Sequence, residues 1–553
     1  MDISKGKLLV YTRTPEAALY HGSLARSIHF AYSDDGEVFE PFHQNYGILF
    51  APGEIAEDNT IQEKGVIKPY IYPLSQGGYG IKAVRTDKDG HSEHLSLFWT
   101  TNDFRSFAYH GKMEENDHSA APQESNPFTQ AIPLPGIVPG NMLDVDKAFG
   151  RELLQFWLPL KNVSVSVPET ISARCAEDVH SIKAVAAYTD GSTCLKHVQW
   201  HMDGVRFDKP GDYLITGTVT QPEYPFPLTK GHGDPVLFSH NGWQYYIATN
   251  DNTNDCGLYV RRAKTRAELF AGPYEEQIIL DVSEEFVQTF WAPEFHMIEN
   301  ELYLLFAVSG KVWGPQCYMM KLKPGGEILH ADDWEKPVRV CRMDGKPLAS
   351  GAITLDMTCF HANGQYYVVW SYREHIGTQK DSGSMLYIAT IDAKCPYRLT
   401  SEPVLLSRPL FGWENMDGTI NNEGPYALIA GDTLYLTYSG GAADGYSYTL
   451  GLLTADINAN LLDPKSFHKW PTAVLSYVSI PGEYGPGHNS FFTDEDGCIM
   501  IAYHAKMDEH KSPRCAAIHR VHLASDGRPA FDLSAERDLD PKLRHVTTIV
   551  RVP

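Results

Sequence analysis

The chain has 553 residues, 43% hydrophobic and 21% charged, the composition of a folded globular protein rather than a disordered one. A formal net charge of −22 with no offsetting basic cluster argues against nucleic acid or an anionic membrane surface as a partner. No apolar run approaches the roughly 20 residues that a membrane span needs.

At about 150 residues per domain the length makes two to four domains. The nine cysteines form no CxxC pair and are scattered among strand-like segments such as those of Cys317, Cys359 and Cys498. Neither zinc ligation nor a disulfide framework is expected of them. The opening MDISKGKLLVYTR lacks the apolar core of a leader. A reducing, cytoplasmic setting is the expectation.

Residues 1–140 read as a β-rich accessory region. Ser27-Ile-His-Phe-Ala-Tyr-Ser-Asp-Asp-Gly, Tyr79-Gly-Ile-Lys-Ala-Val and Leu95-Ser-Leu-Phe-Trp-Thr alternate as strands do. They fit a partial propeller or an unrelated β module equally, and no catalytic residue is expected here. Gln123 to Gly140, rich in proline, serine and asparagine, reads as a linker. Residues 141–227 follow as a second module. Its Asp190-Gly-Ser turn, Trp200 and Pro210-Gly-Asp-Tyr resemble the turns and buried tryptophan of a bacterial immunoglobulin-like β-sandwich. The segment is short for a complete sandwich, so neighbouring strands are expected to complete it, with the role of a spacer.

From residue 228 to 553 one pattern recurs. A polar residue opens an apolar run, a turn follows, and an aromatic strand returns. Gly231 to Asn250 is the type, with Asp234 at the opening and Asn241-Gly242 at the turn, the strongest short-range hairpin signal. Glu294, Asp356, Glu423 and His488 open the later units, at steps of 60, 62, 67 and 65 residues. A fixed period of about four short strands is the mark of propeller blades. The predicted fold class is therefore all-β: a five-bladed β-propeller preceded by the N-terminal β-rich region and the immunoglobulin-like module. Equivalent positions of a propeller converge on its axis, so four carboxylates and one histidine are expected to meet.

Two carboxyl groups flanking a bond, one protonated and one ionised, are what glycoside hydrolysis needs, and a third carboxylate nearby keeps the acid protonated. Spacing alone does not assign the roles. The ordered motifs His232-Gly-Asp-Pro, Leu355-Asp and Asn422-Glu-Gly-Pro, with Trp291-Ala-Pro-Glu and Tyr484-Gly-Pro-Gly-His-Asn-Ser, resemble those of glycoside hydrolase family 43 over residues 228–525. The resemblance implies Asp234 as general base, Glu423 as general acid, Asp356 as the group that raises and orients Glu423, and inversion at the anomeric carbon. It implies substrate contact from Trp291, Glu294 and His488. No cofactor is required, but a structural calcium in the channel beside His488 is implied. One histidine is a poor transition-metal site, so such an ion would be largely water-coordinated. The runs around Glu423, Leu450 and Tyr484 look most like exo-acting α-L-arabinofuranosidases. The expected partner is thus a plant-wall arabino-oligosaccharide, with a β-xylosidase as the alternative and a non-catalytic carbohydrate-binding propeller as the alternative of another class.

Overall fold

The computed structural model describes residues 4–16, 19–114, 134–416 and 419–553. Strands dominate, and the chain divides into two compact units. The first comprises residues 1–157, 226–493 and 501–518; the second comprises residues 158–225, 494–500 and 519–553.

Within the first unit the repeats form antiparallel sheets in succession, each strand pairing with the next. Four sheets have four strands each, spanning His232–Leu280, Gln288–Arg339, Ile353–Ser407 and Glu423–Lys469, and the fifth has three. The Asn241-Gly242 and Asn363-Gly364 turns have positive φ at both residues, the conformation that favours this dipeptide in a two-residue hairpin. Second strands are apolar on both faces because the sheets pack face to face. In Glu301–Gly310, Leu304 and Phe306 pack with Ile247 and Val260 of the first sheet. Leu305 points the other way and packs with Val368 and Ala389 of the third. Period-two alternation thus fills two interfaces from one strand. The inner strands neighbour one another in order, and that of the fifth sheet lies against that of the first. Four-stranded sheets so arranged are consistent with propeller blades.

The N-terminal residues of this unit form two four-stranded sheets. One joins Lys5–Arg13, His29–Ser33, Glu40–Pro41 and Ile137–Asp146; the other runs from Gly65 to Glu114. The linker expected at 123–140 falls mostly outside the described residues, but its end is strand: Ile137–Asp146 pairs with Lys5–Arg13. The amphipathic helix Lys147–Trp157, not anticipated in an all-β reading, buries Gly150, Leu153 and Trp157. Its three turns are too short to stand out between strands. Tyr20, Leu24, Tyr46 and Phe50 share a core with Trp413, in the turn before the fourth sheet, and with Leu434 and Tyr438 of that sheet, so this region is welded to the repeats.

The second unit is built on a six-stranded sheet. Its order is Asn162–Ser166, Ala184–Tyr188, Thr193–His201, Gly211–Thr220, His545–Val552 and Thr170–Ser172. Residues 519–553, expected with the repeats, thus fold with residues 158–225. The apolar face of His545–Val552 explains this: Val546 and Val550 close the core over Trp200 and Ile215.

Candidate active site

Each of the first four inner strands carries the same defect near its start. Two residues oppose one on the neighbouring strand between Gly233 and Val236, Trp291 and Glu294, Leu355 and Thr358, and Glu423 and Tyr426. In each bulge one residue is left-handed: Asp234 (φ 55°), Ala292 (48°), Asp356 (54°) and Gly424 (54°), with His488 (48°) in the fifth strand. Bulges re-aim a side chain out of the pleat, and they concentrate beside active sites. The backbone corrects the repeated slot read from the sequence. Asp234, Asp356 and His488 share the left-handed position, whereas Glu423 precedes it by one residue and Glu294 follows it by two.

Even so, these side chains meet. Asp234, Glu294, Asp356, Glu423 and His488 are all buried, none more than 8% exposed. His488 is their hub. Burial lowers its imidazole pKa, but the charges of Asp234, Asp356, Glu423 and Glu294 outweigh this and raise it. Its Nδ1 lies 3.1 Å from Asp234 Oδ1, and its backbone N–H donates to Ser439 Oγ at 2.7 Å. Gly424 is required here. A Cβ on it would sit 2.9 Å from the His488 ring, and its φ suits glycine.

The three carboxyl groups differ sharply. Burial would raise Asp234, but His488 and the Arg514 guanidinium at 3.2 Å hold it well below the usual carboxylate range. Thr249 donates to its Oδ2 at 2.5 Å. Asp356 is pushed up to about 6, chiefly by burial, with His488 opposing and Asp234 assisting. Its Oδ2 accepts from the Gly424 N–H at 3.1 Å and Ser371 Oγ at 3.4 Å, so it grips the residue next to Glu423. Glu423 is pushed up to about 7 by burial and then by the Asp356 charge, and Tyr448 donates to its Oε1 at 2.9 Å. The environments thus push two carboxyl groups apart, Asp234 toward the ionised form and Glu423 toward the protonated one, the division of roles that acid–base cleavage of a glycosidic bond requires.

Glu294 accepts from His296 at 2.6 Å and acts on the hub only through its charge. Trp291, half-buried, donates its indole N–H to Asp255 at 2.9 Å, and its ring stands one residue before the bulge, in the register position that Glu423 holds in the fourth strand.

Residues 224–529 match the family described as glycosyl hydrolases family 43. The chain belongs to that family. Over 326 residues it is 30% identical to a Streptomyces avermitilis protein named extracellular exo-α-(1→5)-L-arabinofuranosidase, covering 57% of this chain and 64% of that one. Over 323 residues it is 30% identical to α-L-arabinofuranosidase 43 of Humicola insolens, covering 56% and 63%. The chain thus spans just under two thirds of these relatives. The solved α-L-arabinofuranosidase of Lactobacillus brevis is 29% identical, with a TM-score of 0.49, covering 56% of this chain and 96% of that one.

The family 43 region also holds partners that the motifs did not announce. His504 accepts the Asp234 backbone N–H on Nδ1 at 3.2 Å, and its Nε2 faces the Ala443 carbonyl at 3.2 Å. That pattern is a neutral ring protonated on Nε2, in keeping with a pKa lowered by burial. Tyr448 stacks on it at 5.2 Å. Arg514 and Thr249 complete the surroundings of Asp234. His504 and Thr249 lie inside apolar strands, and Tyr448 and Arg514 stand one residue before a strand, so none of them carried a local signal. As an ion ligand His488 has one ring nitrogen left, its Nδ1 being engaged by Asp234. Among the described residues the cluster of three donors near enough to cage a metal is the Asp87, Asp89 and His91 turn, which includes no carboxylate of this site. A calcium at His488 would therefore draw its shell from water, and the surrounding carboxylates favour the charged form of the imidazole.

Proposed function

We propose that this protein is an inverting glycoside hydrolase that releases terminal α-L-arabinofuranosyl residues from arabino-oligosaccharides. The five sheets would be the blades of a five-bladed β-propeller, with the site at the mouth where the inner strands begin. The observation that carries the reading is the meeting of Asp234, Asp356 and Glu423 around His488 in one buried cluster, in which His488 and Arg514 hold Asp234 well below the usual carboxylate range while burial and the Asp356 charge push Glu423 up to about 7.

In this reading Asp234 takes a proton from a water on one face of the sugar, and that water attacks the anomeric carbon. Glu423 gives its proton to the glycosidic oxygen as the bond breaks, so the leaving sugar departs as a neutral alcohol. Asp356 raises and orients Glu423 through the Gly424 N–H. The names of the two arabinofuranosidase relatives support the choice of sugar.

The test compares p-nitrophenyl α-L-arabinofuranoside with the β-D-xyloside. The arabinoside is expected to be cleaved faster, and Glu423→Gln and Asp234→Asn should each lose roughly 10²-fold or more, the scale of a general acid–base contribution. Faster cleavage of the xyloside would make the protein a β-xylosidase. Cleavage of neither, nor of arabino-oligosaccharides, would leave a carbohydrate-binding protein.

A further inference from the structure

Glu423 stands where the fourth sheet grips its inner strand least. It pairs with Ser439 of the second strand, and the pairing resumes only at Tyr426. Between them Gly424 is left-handed and Pro425 has no N–H to give. Ahead of Glu423 the chain is tied by an isolated bridge between Asn421 and Ser384. Ladder hydrogen bonds alone therefore leave the acid loosely aimed, and side chains must fix it. Asp356 holds the Gly424 N–H that follows it, and Tyr448 holds its carboxyl group.

What precedes it is held by Glu414. This residue closes the short 3₁₀ turn Gly412–Glu414, and both it and Asn422 are fully buried. Its Oε1 accepts from Asn422 Nδ2 at 2.8 Å and from the Tyr438 hydroxyl at 2.9 Å, with Lys469 Nζ at 2.7 Å. Its Oε2 accepts from the Phe411 N–H at 2.8 Å, and its backbone carbonyl from the Asn421 N–H at 3.1 Å. Lys469, on the last strand of the same sheet, reaches round to Asn422 Oδ1 at 3.4 Å, and Ser407 Oγ donates to that oxygen at 2.7 Å. One glutamate thus pins both residues that lead into the acid.

A buried ion pair is a costly way to hold a sheet together, since apolar residues of the same volume often serve as well or better. What it supplies here is direction. The carboxylate only accepts and the ammonium only donates, so the Asn422 carboxamide, with an N–H₂ and a carbonyl, fits between them in one orientation. We infer that Glu414 is a positioning residue for the acid, acting with Lys469 through Asn422. The inference rests on the reading of Glu423 as the group that protonates the glycosidic oxygen. A misplacement of about 1 Å can cost a catalytic group roughly 10²-fold, so a clamp one residue away bears directly on proton delivery.

The experiment compares kcat for α-1,5-linked arabinobiose with kcat for p-nitrophenyl α-L-arabinofuranoside. A sugar alcohol needs the Glu423 proton to leave, whereas p-nitrophenolate is a stabilised anion and depends on it less. Asn422→Ala cuts the link and leaves the Glu414–Lys469 pair in place; Glu414→Ala removes the anchor. Each is expected to lower the biose-to-aryl kcat ratio roughly ten-fold or more, with both KM values within about three-fold of wild type. Both substrates report on the same folded molecules, so the ratio is blind to any unfolded fraction, and melting temperatures record that loss separately. A wild-type ratio in either variant, or an equal loss on both substrates, would overturn the inference and leave Glu414 a purely structural residue. A wild type that cleaves the β-D-xyloside instead is judged by the same ratio with xylobiose. A wild type that cleaves none of these fails the hydrolase reading itself and takes the inference with it.

Discussion

Glu423 and Asp356 form a coupled pair, and their environments make a pH prediction with a definite sign. Glu423 must be protonated to act as acid, and burial together with the Asp356 charge raises it to about 7. The alkaline limb of kcat/KM is therefore expected near pH 7, with activity falling above it, as a macroscopic value belonging to the pair. Asp356→Asn removes the like charge, so the limb should move to lower pH while kcat also falls. A limb that stays in place in Asp356→Asn would show that burial alone sets the acid. Asp234 and Glu423 were legible in the sequence because each stands beside a turn-forming residue, Pro235 and Gly424, whereas Asp356, between Leu355 and Met357, was marked only by an ionisable group opening an apolar strand. His504, Arg514 and Tyr448 were not legible: His504 serves the site from inside an apolar strand, Arg514 and Tyr448 from just before one, and none of these places leaves a local pattern.

At the scale of the element, the bulge decides which residues face the hub. Hairpins and their turns could be read from Asn-Gly pairs and alternation, but a one-residue insertion cannot. It moves Glu423 and Glu294 off the position that Asp234, Asp356 and His488 occupy, although all five open their strands in sequence. The same insertion makes Gly424 irreplaceable. Gly424→Ala would force a side chain into a left-handed conformation and against the His488 ring. It should cost about 1 kcal/mol or more of stability and lower activity disproportionately, since Asp356 holds Glu423 through this residue's N–H. Denaturant unfolding alongside kcat separates the two losses; a variant with wild-type kcat would contradict the role given to the bulge.

For the whole molecule, the order of the repeats was visible because each buries a continuous apolar strand between two sheets. The pairing of His545–Val552 with strands more than 300 residues earlier was not, since long-range register has no signature in one sequence. In the same unit Lys196, Arg520 and Tyr188 surround Asp538, with Lys196 Nζ at 2.7 Å and the Tyr188 hydroxyl at 2.7 Å. Asp538 and Lys196 are buried, so Asp538→Ala should destabilise this unit by about 3–5 kcal/mol by leaving charges unpaired. Truncation after residue 518 should unfold it, seen as loss of its transition in calorimetry. Retention of that transition would show that residues 158–225 fold alone.

The central claim is that Asp234 activates water while Glu423 protonates the leaving oxygen on opposite faces of one sugar. Proton NMR of p-nitrophenyl α-L-arabinofuranoside hydrolysis, followed from the first minute, tests it directly. The account predicts that β-L-arabinofuranose appears first and mutarotates afterwards. First release of the α anomer would contradict it.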